Sequence, residues 1–277
     1  DVILENSNFN LNKKNSNFFY KILDNKFLEN NFIIKNSNIF FQTNEKEVLF
    51  INKIINMKYY YDTKLLKNVL TSKNEIFNIP YSFYLFKDEK KKFFFSKIKF
   101  KFLNLRIESE LDYNNDEKKG ILNFLYDKKK SKAEYKLSKN YFNFNFFNKL
   151  SDTDFFYKGK INFSPFYVFI NGNVEKIDFS NFFNFNSLSM QLLKTEILNN
   201  KNLNIDINID ANKFYQYQNF KNILFHLNIR EGLIDIDKTK FSWKNSANFE
   251  ISDSLIYVKD NQLVLNGQLY IDVKNYN

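Results

Sequence analysis

The sequence contains no cysteine, five glycines, two prolines and only two arginines, Arg106 and Arg230. Without cysteine there are no disulfides, zinc–thiolate sites or thiol nucleophiles. The scarcity of glycine argues against the glycine-rich loops of Rossmann and P-loop proteins. The scarcity of alanine argues against a helical bundle, whereas 35 Phe and 17 Tyr among 277 residues favour β-sheet.

The positive charge of the chain, +10 at pH 7, comes almost entirely from lysine. Lysine, asparagine, isoleucine, phenylalanine and tyrosine are over-used together, which is typical of AT-rich coding sequence. Proteins that bind phosphate groups usually do so with arginine side chains. We therefore interpret the excess of lysine as solvated surface and expect no nucleic-acid partner.

The clearest pattern is the alternation of apolar and polar residues over 202–273, which predicts a β-meander with one apolar face. Two-residue turns at Glu231-Gly232 and Asp260-Asn261 would place apolar residues opposite apolar residues on the paired strands. The first turn places His226 beside Asp237. The predicted apolar pairs are Ile229 with Ile234, Leu227 with Ile236, Val258 with Leu263 and Ile256 with Leu265.

Short apolar runs separated by polar clusters predict further strands upstream. The longest candidate is 98–113, where an extra residue near 102 or 103 would be a β-bulge that keeps the apolar residues on one face. Pro80 is expected at a strand start, an edge or a bulge, and Pro165 interrupts a strand over 161–170. Each proline removes a ladder donor, so we expect a sheet that does not close.

Helical spacing occurs twice. Leu65, Leu66, Val69 and Leu70 follow a possible cap at Asp62 or Thr63, which predicts a short helix. A second helix is predicted near 187–198, just before the meander. The sequence thus predicts an all-β fold over 1–277 as a single unit, a long curved antiparallel sheet forming an open β-groove with one or two short helices.

Catalytic chemistry has little support in the sequence. His226 is the only imidazole, and without a serine motif its predicted neighbour Asp237 is better explained as a solvated cross-strand partner. Ser96 and Lys99 have the spacing of a serine–lysine motif that belongs on a helix, yet they lie in a predicted strand. We therefore predict that the protein is not an enzyme.

The sequence gives no more support to a metal site or a base-stacking site than to a catalytic site. Asp206 and Asp210 on one strand, and Asp235 and Asp237 on another, are too far apart along each strand to share an ion. Trp243 could be a platform for bases, but a lone tryptophan in a meander is more often part of the core or its rim. We expect neither a metal nor a cofactor.

Several motifs resemble those of the AsmA-like envelope proteins, which include the TamB and YhdP types. They are the alternating strand from Leu203, the run Gly232-Leu-Ile-Asp-Ile-Asp and the closing Leu265-Asn-Gly-Gln-Leu269; the segments Asn36-Ser-Asn-Ile39 and Ile79-Pro-Tyr81 are similar in style. Members of this family form long β-grooves that cross the periplasm and are implicated in carrying phospholipid from the inner to the outer membrane.

The resemblance implies a periplasmic protein, anchored in the inner membrane through a segment absent from this chain, whose partners are phospholipid acyl chains and the membranes at the groove ends. Alternatives are an outer-membrane β-barrel, an envelope-assembly scaffold without transport and, with less support, a basic-aromatic nucleic-acid binder. The expected lipid-binding residues share one apolar phase: Phe100, Phe102, Leu105, Ile107, Ile205, Ile207, Leu227, Ile236, Ile256, Leu265 and Leu269.

Overall fold

The computed structural model describes residues 1–12, 30–42, 46–88, 90–113, 117–126, 128–138, 140–148, 155–163, 165–178, 200–260 and 262–274. The structure is 77% strand, and no helix occurs among the described residues. The predicted all-β class is therefore confirmed. The chain divides into two compact units, Asp1–Ser138 and Lys139–Asn277.

In the first unit, two short strands lie end to end along one edge of a third strand, and seven more strands follow as an antiparallel meander. Asn6 and Asn36 both have positive φ, so β3 has a left-handed residue close to the break between β1 and β2, while the register on either side stays the same. The strands are β1 (Val2–Glu5), β2 (Asn8–Leu11), β3 (Phe32–Gln42), β4 (Val48–Asp62), β5 (Lys67–Ile76), β6 (Ile79–Asp88), β7 (Phe93–Phe100), β8 (Leu105–Asp112), β9 (Lys118–Tyr126) and β10 (Lys129–Leu137).

The second unit contains an antiparallel set, one parallel pair and a closing meander. Strands β11 to β13 pair in sequence order, β14 runs parallel to β13, and β15 to β19 complete the sheet. The strands are β11 (Tyr141–Asn148), β12 (Phe155–Phe163), β13 (Phe166–Ile177), β14 (Ile205–Phe214), β15 (Phe220–Arg230), β16 (Leu233–Asp235), β17 (Lys240–Trp243), β18 (Ala247–Lys259) and β19 (Gln262–Val273).

The purely antiparallel sheet that we predicted is wrong in three places, because β1 and β2 pair in parallel with β3, and β13 with β14. A parallel pair needs a crossover of a dozen or more residues. The connection between β13 and β14 has that length. It includes 187–198, where the sequence predicts a helix, and this segment lies outside the described residues.

The helix predicted behind Asp62 is wrong. Strand β4 ends at Asp62. The Oδ1 atom of Asp62 accepts hydrogen bonds from the backbone N–H groups of Lys64 and Leu65, at 2.9 and 3.0 Å. These are the bonds of a helix cap, but Leu66 adopts a φ of 52° and turns the chain back into β5. An Asx turn and a helix cap share their first two bonds, so the capping signal indicated a hairpin.

The β-bulge predicted near residue 102 is a hairpin turn. Strands β7 and β8 pair from Phe100 and Leu105 outward, and the N–H of Asn104 bonds to the carbonyl of Lys101 at 3.2 Å. The residues between the strands shift the alternation by one phase, which is the signal that we attributed to a bulge. Phe102 therefore lies at an exposed turn.

The two prolines occupy different kinds of position: Pro80 is paired with Glu75 of β5, and Pro165 lies in a turn. Pro80 is the second residue of β6, as predicted, and β6 pairs with β7 only from Ser82 onward. Pro165 lies in the turn between β12 and β13, so the predicted interrupted strand is a hairpin. Pro165 thus removes no donor from the sheet, contrary to our argument from sequence. A two-residue turn formed by Phe77 and Asn78, both with positive φ, separates β5 from β6.

Both predicted two-residue connections in the closing meander are confirmed by register. Ile229 pairs with Ile234, and Glu231 and Gly232 have φ of 54° and 81°, as a type I′ turn requires. Val258 pairs with Leu263 and Ile256 with Leu265 across the second connection. Glycine, asparagine and aspartate adopt such backbone most readily, as Gly232 and Asp260 do here, whereas Glu231 adopts it as a residue that rarely does.

The two faces of the first unit follow from the pairings, since residues directly opposite each other in a sheet point to the same side. Its apolar face contains the cross-strand row Ile34, Met57, Ser72, Phe83, Ile98, Ile107 and Phe124. The opposite, polar face contains the row Lys58, Thr71, Tyr84, Lys97, Glu108 and Asn123.

The polar face of the first unit nevertheless has a core of its own. Val69 is 0% exposed between Tyr60 and Phe86, its partners on the neighbouring strands. Phe86 stacks on Phe95 with ring centroids 5.2 Å apart. An ion pair borders this cluster: the buried carboxylate of Asp88 accepts a hydrogen bond of 2.6 Å from the Lys67 ammonium.

We expect Asp88→Asn to lower the free energy of unfolding by about 2 kcal/mol at neutral pH, because it removes a charge-assisted bond from a buried position. The ammonium of Lys67 and the N–H of Lys91 hold the pKa of Asp88 below its usual range. A depressed pKa stabilises the fold above the carboxyl's unfolded pKa, and this contribution is lost as pH falls through the folded pKa.

The wild type and the variant should consequently converge in stability as pH falls below about 4. Urea unfolding followed by circular dichroism at several pH values measures the difference. A gap that is constant across this range would show that the carboxylate charge of Asp88 contributes nothing.

Candidate functional site

The predicted groove residues of the first unit occupy one sheet face, with one exception. Phe100 pairs with Leu105, and Ile107 pairs with Ile98 and Phe124, so these side chains lie on the apolar face. Phe102 does not join them, because it lies in the turn after β7 and is 56% exposed.

The predicted groove residues of the second unit also share a face, which we call the apolar face of that unit. Ile205 pairs with Ile229, Ile207 with Leu227, and Ile256 with both Ile234 and Leu265. A buried core forms on this face, made of Val174, Ala211, Ile223, Phe225, Leu227, Ile229, Ile234, Ile236 and Ile256.

Burial divides these residues into a closed part and an open part. Leu227, Ile236 and Ile256 are buried in the core, and Ile205 and Ile207 are half-buried against it. On β19, Leu265 and Leu269 are 51% and 54% exposed. In the second unit, solvent or a ligand therefore reaches the predicted residues mainly along β19.

Among the described strands of the second unit, β19 has the most exposed large apolar side chains. Leu265, Leu269, Ile271 and Val273 alternate along it and are all exposed on the apolar face. Its one pairing within the described part of the chain is with β18. Charged residues and prolines usually protect an edge strand from association, and Asp272 is the only charged residue of β19.

A buried polar network lies beside the core, where β16 ends and β18 bends. Asp237 Oδ1 accepts bonds from the Ser254 amide at 2.8 Å and from its hydroxyl at 2.6 Å. Ser254 Oγ in turn accepts the N–H of Ile236 at 2.9 Å. Asp253, with a φ of 48°, marks the bulge in β18 that brings Ser254 to this position.

This network changes the environment that we predicted for His226. The histidine does lie beside Asp237, but its Nδ1 is 2.7 Å from the Asp237 backbone carbonyl oxygen, while the carboxylate of Asp237 binds Ser254. Its nearest charged partner is Asp206, whose Oδ2 lies 3.5 Å from Nε2. Since no serine or cysteine contacts this imidazole in the described structure, the geometry supplies no activated nucleophile.

The other sequence candidates lie apart from one another. Ser96 and Lys99 are three residues apart on β7, so they point to opposite faces. No group of three or more His, Asp or Glu side chains within the described ranges is placed to hold a metal ion. Trp243 is an edge partner of Phe220, with ring centroids 4.7 Å apart, at the rim of an aromatic cluster.

Three glycines reveal a feature that the sequence analysis missed. Each lies under the aromatic ring of the residue paired with it on a neighbouring strand: Gly120 under Tyr135, Gly159 under Phe144, and Gly172 under Tyr157. The rings occupy the space that a Cβ atom would need. Alternation alone cannot reveal this arrangement, because the register that pairs each ring with a glycine is not visible until the strands are aligned.

No helix in the described ranges is long and apolar enough to cross a membrane. No protein-family model matches the chain, and no curated protein shows significant similarity to it.

Proposed function

We propose that this chain is a lipid-binding segment of a β-groove that shields phospholipid acyl chains from water, as the AsmA-like pattern of its sequence implies. The observation that carries the proposal is the exposed apolar row of β19, formed by Leu265, Leu269, Ile271 and Val273. This row continues the buried core of the second unit on the same face.

An exposed apolar row of this length has a free-energy cost in water. At about 25 cal/mol per Å² of apolar surface, covering it with hydrocarbon is favourable without any contact specific to a headgroup. Contiguous apolar patches on soluble proteins usually bind a partner. Acyl chains suit this patch because they are flexible and can follow a row of side chains spaced along a strand.

The apolar face of the first unit supports the same reading. Phe83, Ile98, Ile107 and Phe124 are only half-buried, although they lie in the middle of the sheet. Within the described residues of the first unit there is neither a helix nor a second sheet that packs over them. A single layer needs a cover for its apolar face, and lipid provides one.

In this proposal the chain acts in the periplasm, attached to the inner membrane through a segment outside this sequence, and carries phospholipid toward the outer membrane. Phe100, Leu105 and Ile107 would line the groove in the first unit. Leu265 and Leu269 are the accessible lining of the second, while Leu227, Ile236 and Ile256 form the core beneath.

Replacing Leu265 by aspartate is expected to abolish most lipid labelling by a photoreactive residue placed at Leu269. A carboxylate in contact with acyl chains must be desolvated, which costs several kcal/mol. Leu265 suits this test better than Ile207, because Ile207 packs against the protein core and its replacement would disturb folding. The measurement is ultraviolet crosslinking in the periplasm, followed by mass spectrometry of the attached lipid.

Asn266→Asp is the matched control, since it adds the same charge one residue away, on the opposite face of the same strand. It should leave the labelling at Leu269 unchanged. Equal loss in both variants, or equal labelling from Leu269 and from a photoreactive residue at Asn266, would show that the apolar row does not select acyl chains.

A further inference from the structure

The polar face of the first unit contains a depression of about 480 Å³ that spans the four strands β4 to β7. Its volume lies in the range of small-molecule sites, which is about 300 to 1,000 Å³. Four of its lining residues are lysines, and most of the others carry a neutral hydrogen-bonding group. The lining residues of the polar face are Asn56, Lys58, Thr71, Lys73, Ser82, Tyr84, Phe95, Lys97 and Lys99, and Ser72 and Phe83 of the apolar-face row also border the depression.

The register of the sheet concentrates positive charge in this depression. Part of one cross-strand row runs Asn56, Lys73, Ser82, Lys99 and Arg106, and these five residues include three cations and no carboxylate. Lys73 and Lys99 line the depression, and Arg106 lies beside it. Lys99 and Arg106 are directly opposite each other. Like charges in directly opposed positions destabilise a sheet, and of these two cations only Arg106 is bound by Glu108.

Few acidic groups offset these lysines. Glu108 lies 3.0 Å from Lys97 and also binds Arg106, and its pKa is lowered by these two cations against an opposing effect of burial. No carboxylate of the described structure lies within ion-pair distance of Lys73 or Lys99. The nearest strand neighbour of Lys73 with a negative charge, Glu75, pairs instead with Lys53 at 3.7 Å.

Neutral donors complete the lining of the depression. The hydroxyls of Thr71, Ser82 and Tyr84 and the amide of Asn56 lie on the same face as the lysines. Burial is the largest of the effects that raise the pKa of Tyr84, so this hydroxyl stays protonated and can donate at neutral pH. Tyr84 and Phe95 are edge-to-face neighbours with centroids 6.3 Å apart, and they give one side of the depression an apolar wall.

We propose that this depression binds a phosphate group, carried either by a soluble phosphorylated molecule or by a phospholipid headgroup. Lys73 and Lys99 supply the charge, and the hydroxyls of Ser82 and Thr71 donate to the remaining phosphate oxygens. Lysine binds phosphate as a point charge and does not need the planar fork of arginine. The depression is larger than one phosphate, so the apolar wall contacts the group to which the phosphate is attached.

The side chains proposed to bind phosphate, Lys73, Lys99, Ser82 and Thr71, lie on the polar face of the first unit, opposite the acyl-chain groove proposed above. A failure of lipid labelling at Leu269 therefore leaves this inference untouched. Conversely, loss of phosphate binding leaves the groove proposal untouched.

The test compares the double variant Lys73→Gln, Lys99→Gln with a control that loses the same charge elsewhere, Lys130→Gln, Lys132→Gln on β10. Lys130 and Lys132 are exposed, project from the same polar face and lie outside the depression. Nuclear magnetic resonance titration with inorganic phosphate and with glycerol 3-phosphate measures binding of soluble ligands. Flotation with phosphatidylcholine vesicles, with and without phosphatidylglycerol, measures binding of headgroups.

The Lys73, Lys99 variant should bind at least about tenfold more weakly than the wild type in one of these two assays, and the control should stay within about twofold. A selective loss in the titrations assigns the site to a soluble phosphorylated ligand, and a selective loss in flotation assigns it to a headgroup. Equal losses in the two variants, or no binding by the wild type in either assay, would overturn the proposal. Matching circular dichroism spectra of the variants exclude misfolding as the cause.

Discussion

Replacing Ile223 by alanine is expected to lower the free energy of unfolding of the second unit by about 2 to 5 kcal/mol. Ile223 is 0% exposed and belongs to the core on β15, opposite Ala211. Because Ala211 is already small, the neighbouring side chains have little volume with which to fill the cavity that the substitution leaves. Trp243, the only tryptophan, lies in this unit, so urea unfolding followed by its fluorescence isolates the effect.

Leu224 provides the matched control, since it is the next residue of the same strand and points to the opposite face. It is 50% exposed, and Leu224→Ala should cost less than about 1 kcal/mol. If the two substitutions cost the same, the assignment of the apolar face in β15 would be wrong.

Alternation identified the parts of the fold in which one residue in two is buried. In β15 the burial follows the predicted phase from Ile223 to Arg230, and in β18 it alternates over 253–257. Glu231-Gly232 allowed the register to be predicted, since its geometry demands positive φ at two successive residues. Local chemistry and tertiary packing agree in this segment. The sequence was therefore sufficient to predict which residues pair.

The predictions failed where a local signal has two structural solutions. The side chain of Asp62 caps backbone N–H groups equally well in a helix and in a hairpin turn, and only the pairing of β4 with β5 selects the turn. The phase change near Phe102 likewise fits either a bulge or a turn. Pairing between strands, which is non-local, resolves both cases, and no local pattern encodes it.

For the candidate site, too, local sequence patterns did not show which strands lie next to each other. The sequence indicated which residues share the apolar phase, but Leu227 and Leu265 have equal status in that pattern, whereas the first is buried in the core and the second is exposed. Their difference depends on position within the sheet, since Leu265 lies on β19, which pairs with β18 alone among the described strands. The lysine-lined depression escaped detection for a related reason, because Lys73 and Lys99 become neighbours only across β6.

The aromatic rings above glycines lead to a second large effect. An added Cβ at Gly172 would lie 2.5 Å from the ring of Tyr157 and 3.4 Å from Ile209. Gly172→Val is therefore expected to destabilise the second unit by about 1 to 3 kcal/mol, because the ring must leave its position over the strand. Asn173→Val, at the exposed neighbouring position on the other face, should change the stability by less than about 0.5 kcal/mol.

A double-mutant cycle tests whether the ring is the cause. In a Tyr157→Ala background the space above Gly172 is vacant, so Gly172→Val should cost at least about 1 kcal/mol less there than in the wild type. Unfolding in urea, followed by Trp243 fluorescence, gives all four stabilities. The same cost in both backgrounds would mean that the strain arises from the backbone of β13, and that the ring of Tyr157 merely lies near the glycine without depending on its lack of a side chain.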